Sequence, residues 1–168
     1  LHERGLIYEG SYTGWYDKSE ERFWTDKEVT NGVAPNGKVV ERIVEKNYFF
    51  KLSEYKDQIV KHIEDNPSFI QPKSRRNEVL SFLKKQLEDL CISRPKSRLT
   101  WGIELPFDED YVTYVWFDAL LNYVSHNESI IKNATHLIGK DILIFHAVYW
   151  PAMLIALDLP LPKTIFAH

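Results

Sequence analysis

The chain has 168 residues, 14% of them aromatic, a formal net charge of -3 and a single cysteine, Cys91. That charge balance gives no support to a broad nucleic-acid-binding surface, although it leaves room for a local basic patch. One cysteine rules out an internal disulfide and a Cys-rich zinc site, and no apolar run approaches transmembrane length.

Leu1 to Gly5 reads as the end of a helix stopped by Gly5. Leu6 to Tyr16 alternates aromatics with glycines and polar residues, which predicts a short hairpin or meander. Tyr8, Tyr12, Trp15 and Tyr16 lack interleaved Arg or Lys, so they read as a packed sheet face rather than a base-stacking platform. Asp17 to Asp26 is charged and expected to be exposed. The two Asn-Gly pairs between Asn31 and Lys38 mark a turn or hairpin tip. Ser53 is expected to cap a helix ending at Asn66-Pro67. Ser74 is expected to cap a second one running to about Asp89. Arg75, Arg76, Lys84 and Lys85 read as solvated charges, with RNA backbone contact the lesser reading.

Ile92-Ser93-Arg94 reads as a short strand, and Trp101-Gly102 and Pro106 punctuate an irregular connection. The run Tyr111 to Phe117 predicts a strand buried on both faces, as in a parallel sheet, with Asp118 capping the helix that follows. His136-Leu-Ile138 reads as the next buried strand, and Gly139 as the turn out of it. From Lys140 the spacing becomes helical: Ile142, Phe145, His146, Tyr149 and Met153 are expected on one face. Asp141 stands in the first turn, where a carboxylate complements the exposed N–H groups. Pro151 should kink or break this helix. Thr164 to Ala167 is the last strand. Alternating strands and helices mean an α/β fold with a parallel sheet, whose ligands sit at the carboxyl edge of the strands. The face offers an apolar cage with one imidazole; its plainer reading is a core helix with a satisfied histidine.

Five segments, taken in order, resemble the methionyl-tRNA synthetase family: Asn47-Tyr-Phe-Phe-Lys-Leu-Ser53, Ile92-Ser-Arg94, Trp101-Gly-Ile103, Tyr114-Val-Trp-Phe-Asp-Ala-Leu120 and Gly139 to Pro151. The resemblance runs from Ile7 to His168. It implies a class I aminoacyl-tRNA synthetase, with residues 1–110 belonging to a connective insertion of the metal-free type. Residues 111–168 would then be the second half of a Rossmann-type doubly wound sheet. It also implies a methionine pocket of Trp116, Ala119, Leu120, Tyr123, Ile142, Phe145 and His146. Asp141 and Arg94 fall on positions that handle the substrate's polar groups, and Gly139 and His168 on positions near the ATP ribose and adenine. An aromatic cage suits a thioether, which is polarisable and a weak hydrogen-bond acceptor.

The implied substrates are L-methionine, ATP with its Mg2+, and tRNA(Met), in the cytoplasm or an organellar matrix, with no membrane partner and no structural zinc. The family's phosphate-handling signatures, His-Ile-Gly-His and Lys-Met-Ser-Lys-Ser, are absent from the sequence. The chain is therefore expected to be an internal piece of the catalytic region, inactive alone. Two departures from the family pattern, Lys46 and Glu104, lie outside the pocket. A non-catalytic or split-subunit binding module is the competing reading. A synthetase for leucine, isoleucine or valine is disfavoured by the short insertion and by the combination of Trp116, Tyr123 and His146.

Overall fold

The parallel strand pair expected near the C-terminus is present in the computed structural model, which describes all residues except Lys18, Glu20, Glu21, Thr25, Lys27, His126 and Asn127. Two compact units emerge, one formed by Leu1–Tyr8 and Phe49–His168, the other by Glu9–Tyr48.

In the larger unit, β9 (Thr135–Ile138) and β10 (Thr164–Ala167) run parallel, with Thr164 opposite Thr135 and Ala167 opposite Ile138. A two-residue strand, β4 (Ile70–Gln71), joins β10 on its other side, also parallel, giving the order β4-β10-β9. Burial on β9 follows the pleat: His136 and Ile138 point inward, Thr135 and Leu137 outward.

The strand expected over Tyr111 to Phe117 is present only as far as Thr113. β8 (Asp108–Thr113) ends earlier and lies antiparallel to β6 (Ser93–Pro95) and β7 (Glu104–Leu105). After Tyr114 the chain turns into α3 (Val115–Ala119), followed by α4 (Asn122–Ser125). An apolar run this short carries no period that separates a strand from a buried helix. Asp118 is not a cap either. It lies within α3, and the residue before the helix, Tyr114, makes no side-chain cap bond.

A tertiary hydrogen bond also takes the place of the cap expected at Ser53. A 3-10 turn, Leu52–Tyr55, leads into α1 (Lys56–Asp65), which ends at Asn66 as expected. Ser53 donates its backbone N–H and its hydroxyl to Asp89 Oδ1 at 3.0 and 2.6 Å, and Tyr8 donates to Oδ2 at 2.8 Å. Burial alone would raise the Asp89 carboxyl, but the hydrogen bonds from Ser53 and Tyr8 and the charge of Lys51 hold it below its ordinary range. α2 (Lys73–Leu83) stops short of Asp89, and its N-cap is Pro72 rather than Ser74. Leu87 is nonetheless buried beyond the helix. Asp89→Ala is expected to cost about 1–2 kcal/mol, read as a lower midpoint in thermal unfolding, with Asp89→Asn losing less. At the amino end Gly5 stops a turn, not a helix: its φ of 69° closes bonds from Arg4 and Gly5 back to Leu1 and His2.

The expected hairpin is one long strand, β1 (Ile7–Asp17), flanked by β2 (Arg22–Trp24) and β3 (Glu41–Phe50), most of whose residues belong to the smaller unit. Trp15 and Val29 pack on buried Trp24, Ala34 and Val40, so part of the aromatic face is core. Asp17 corrects the expectation of exposure. It is 1% exposed and accepts bonds from the N–H and hydroxyl of Ser19 and from the Asn36 amide. Lys18, Glu20, Glu21 and Thr25 of that stretch lie outside the described residues.

Candidate active site

The site is built on the crossover from β9 to β10. Gly139 leaves the strand, and a 3-10 turn, Lys140–Ile142, starts the helical stretch with Asp141 in its first turn. Phe145–Tyr149 then forms a π turn, closed by the Trp150 N–H bonding to the Phe145 carbonyl, and α5 (Trp150–Ala156) continues from it. Pro151, expected to kink or break the helix, stands at the start of α5, just after this interruption of the regular α-helix. It has no N–H to give, and the widened turn before it spares its ring the clash with the preceding turn's carbonyl.

The inserted residue rotates everything downstream by roughly one helical step, about 100°. Met153 therefore leaves the face on which it was expected and lines a separate apolar cleft with Ile7, Ile92 and Phe117. Trp150, fully buried, comes instead to Tyr123, with ring centroids 5.8 Å apart.

Most of the expected pocket residues converge. Trp116 of α3 stacks on Phe145 at 4.1 Å and meets His146 edge-on at 6.2 Å. Tyr123 of α4 lies 5.6 Å from His146 between ring centroids, and Phe145 packs edge-on against Tyr149 at 5.3 Å. Leu120 is buried beneath α3, Ile142 is half-buried and Ala119 is exposed.

His146 is 1% exposed and fully bonded. Its Nδ1 lies 2.9 Å from the Ile142 carbonyl, and its Nε2 lies 2.9 Å from the Tyr123 hydroxyl. A carbonyl only accepts, so Nδ1 carries the proton. Burial pushes the imidazole's pKa down, partly opposed by the Ile142 bond, so Nε2 is a bare lone pair. Tyr123, whose own pKa burial raises, must therefore donate. The network is neutral and closed, which suits an uncharged, polarisable group among aromatic faces.

Arg94 does not touch these rings. It lies over the Tyr114 ring at 4.7 Å and donates to the Ser93 carbonyl at 2.6 Å and to Cys91 Sγ at 3.4 Å. Asp141 is exposed at the head of the helix. Gly139 and His168 are brought together at the carboxyl edge of β9 and β10, where Leu137, Ile138 and Phe166 complete a cleft of about 390 Å³. Nothing lies within 4 Å of where a Cβ on Gly139 would stand, so a ligand has room to approach the backbone there. Among the described residues no group of three or more His, Cys, Asp or Glu is placed to hold a metal ion, and no helix is long and apolar enough to cross a membrane.

Sequence reasoning missed His136 and Trp150. The period-2 burial of β9 puts His136 inward at 6% exposure, with its ring 4.3 Å from Tyr123. That signal was available in the strand pattern. Trp150 had none, because its place depends on the π turn.

A strand turning through glycine into a helix that carries the pocket is the arrangement by which α/β folds bind ligands at the carboxyl edge. Residues 33–168 match the family described as class I (M) tRNA synthetases, and the chain belongs to that family. It is 49% identical to the methionine–tRNA ligase of Caldanaerobacter subterraneus and 50% identical to that of Clostridium acetobutylicum, over its whole length and 28% of each relative. Against Mycobacterium tuberculosis methionyl-tRNA synthetase in complex with methionyl-adenylate, the TM-score is 0.81 at 41% identity, covering 99% of this chain and 35% of that one. The chain thus spans about a third or less of the relatives it matches, and shares the α/β fold of their catalytic region.

Proposed function

We propose that the protein carrying this chain is a methionine–tRNA ligase, an ATP-dependent enzyme of the cytoplasm or an organellar matrix. The observation that carries this reading is the neutral aromatic enclosure of Trp116, Phe145, Tyr123 and His146 beside the turn at Gly139. Ala119, Leu120 and Ile142 complete the methionine pocket. Asp141, at the head of the helix, meets the substrate's ammonium, and Arg94 helps orient the amino acid through its neighbours. Gly139 and His168 hold the adenosine of ATP, whose Mg2+ travels on the triphosphate. Residues 1–110 are read as the connective insertion, without structural zinc since Cys91 is the only cysteine. Residues 111–168 are read as the second half of the Rossmann domain.

In the reaction a methionine carboxylate oxygen attacks the α-phosphorus of ATP. An O–P bond forms, the α–β anhydride breaks and pyrophosphate leaves. A hydroxyl of the terminal adenosine of tRNA(Met) then attacks the carbonyl carbon and releases AMP. These residues supply positioning and an apolar, water-excluding wall rather than a nucleophile. This sequence contains neither phosphate-handling signature, so the chain by itself is not expected to form adenylate.

The test is ATP–pyrophosphate exchange by the full-length protein. Exchange that requires methionine and is not supported by leucine is the expected result. A folded protein that exchanges with neither overturns the reading in favour of a binding module.

A further inference from the structure

We propose that His136 is a positioning residue of the pocket: it takes over the His146 Nε2 lone pair when methionine enters, freeing the Tyr123 hydroxyl for the sulfur. This inference rests on the methionine reading above, in which the Tyr123 hydroxyl faces the thioether, and concerns only what His136 does there. In the closed network no proton is free for the sulfur. The Tyr123 O–H is given to His146 Nε2, and the only N–H of His146 is given to the Ile142 carbonyl. A sulfur that drew the Tyr123 proton would leave His146 Nε2 buried and unpaired, at a cost of about 1–3 kcal/mol.

His136 can remove that cost. Its ring lies 4.3 Å from Tyr123 and 5.7 Å from His146, centroid to centroid. An N–H···N bond between two imidazoles places their centroids roughly 5 Å apart, so the exchange requires the rings to close by less than about 1 Å and the two nitrogens to turn towards each other. Its Nε2 is buried and has no hydrogen-bond partner among the described residues. A buried slot that only needed filling would be better served by an apolar ring, because an unpaired ring nitrogen destabilises the fold. Burial, and secondarily His146, push the His136 pKa down to about 4. The imidazole is therefore neutral and has one N–H to offer. The seat is also firm. β9 is pinned by β10, whereas Tyr123 rides on a four-residue helix, Asn122–Ser125.

The experiment compares methionine with norleucine, its isostere with a methylene in place of sulfur, as exchange substrates of the full-length protein. His136→Phe keeps a ring but removes the nitrogens. It is expected to lower the methionine-to-norleucine ratio of kcat/KM about tenfold, leaving norleucine and ATP kinetics within twofold of wild type. His136→Gln, which carries an amide N–H near the Nε2 position, is expected to restore most of the ratio. A His136→Phe ratio within twofold of wild type, or equal losses on both amino acids, overturns the proposal. If His136→Phe does not fold, His136→Gln decides alone: a retained ratio supports the switch, and a lost one refutes it. Wild type without methionine-dependent exchange would instead overturn the functional reading itself.

Discussion

His146→Ala in the full-length protein is expected to lower kcat/KM for methionine by on the order of a hundredfold in pyrophosphate exchange, with the KM for ATP little changed. The substitution strips two groups at once. The Ile142 carbonyl loses the Nδ1–H that satisfies it at 2.9 Å, and the Tyr123 hydroxyl loses the ring 2.9 Å away that holds it in place. Leaving such groups unpaired costs about 1–3 kcal/mol apiece, and the room left by the ring lets Trp116 and Phe145 shift out of their stacked pose. Together these reach the few kcal/mol that a hundredfold represents. His146→Gln, which retains one polar end, is expected to lose less. Trp116→Ala removes the stacked plate without touching the hydrogen bonds, so its loss should extend to norleucine. Unchanged methionine kinetics in both alanine variants would remove this enclosure from the substrate site.

What was legible in the sequence were the elements whose local pattern agrees with their tertiary role. β9 and β10 are short β-rich runs set off by glycine or proline, and the residues from Ile142 to His146 hold a helical face on which the site is built. Where tertiary contacts outweigh pattern, reading failed. Tyr111 to Phe117 is dense enough in aromatics for either a strand or a buried helix, and the chain uses both. Ser53 has the composition of a cap, but Asp89, thirty-six residues away, supplies the acceptor. The loss of Met153 from the pocket face follows from a single π turn before Pro151, and no fixed period foresees that shift. Asp17 shows the same limit for charge. A carboxylate surrounded by Ser and Asn donors can be buried where composition predicts solvent. The pocket that the resemblance implies includes His146 but not His136, whose Nε2 has no hydrogen-bond partner among the described residues.

His136 also sets a dependence of stability on pH. Its imidazole, ordinarily near 6.5, is pushed down to about 4 by burial and by His146. Above pH 6.5 the side chain is neutral whether the protein is folded or not, and its placement costs nothing electrostatically. As pH falls from 6.5 towards 4, the unfolded chain takes up a proton that the folded state refuses. Stability is therefore lost through that window and levels off below it. A shift of this size makes the protein about 2 kcal/mol less stable at pH 5 than at pH 7.5. His146, also pushed down by burial, adds to the loss in the same direction. Other groups titrate over this range, so the measurement is a comparison. Thermal midpoints of wild type and His136→Phe are followed from pH 7.5 to pH 5. The variant is expected to match or exceed wild type at pH 7.5, having lost an unpaired nitrogen, and to fall less on acidification. Parallel curves would mean that His136 accepts its proton as readily in the folded protein as in the unfolded chain. An imidazole that charges freely at pH 5 could not be the neutral donor on which the exchange of partners around His146 depends.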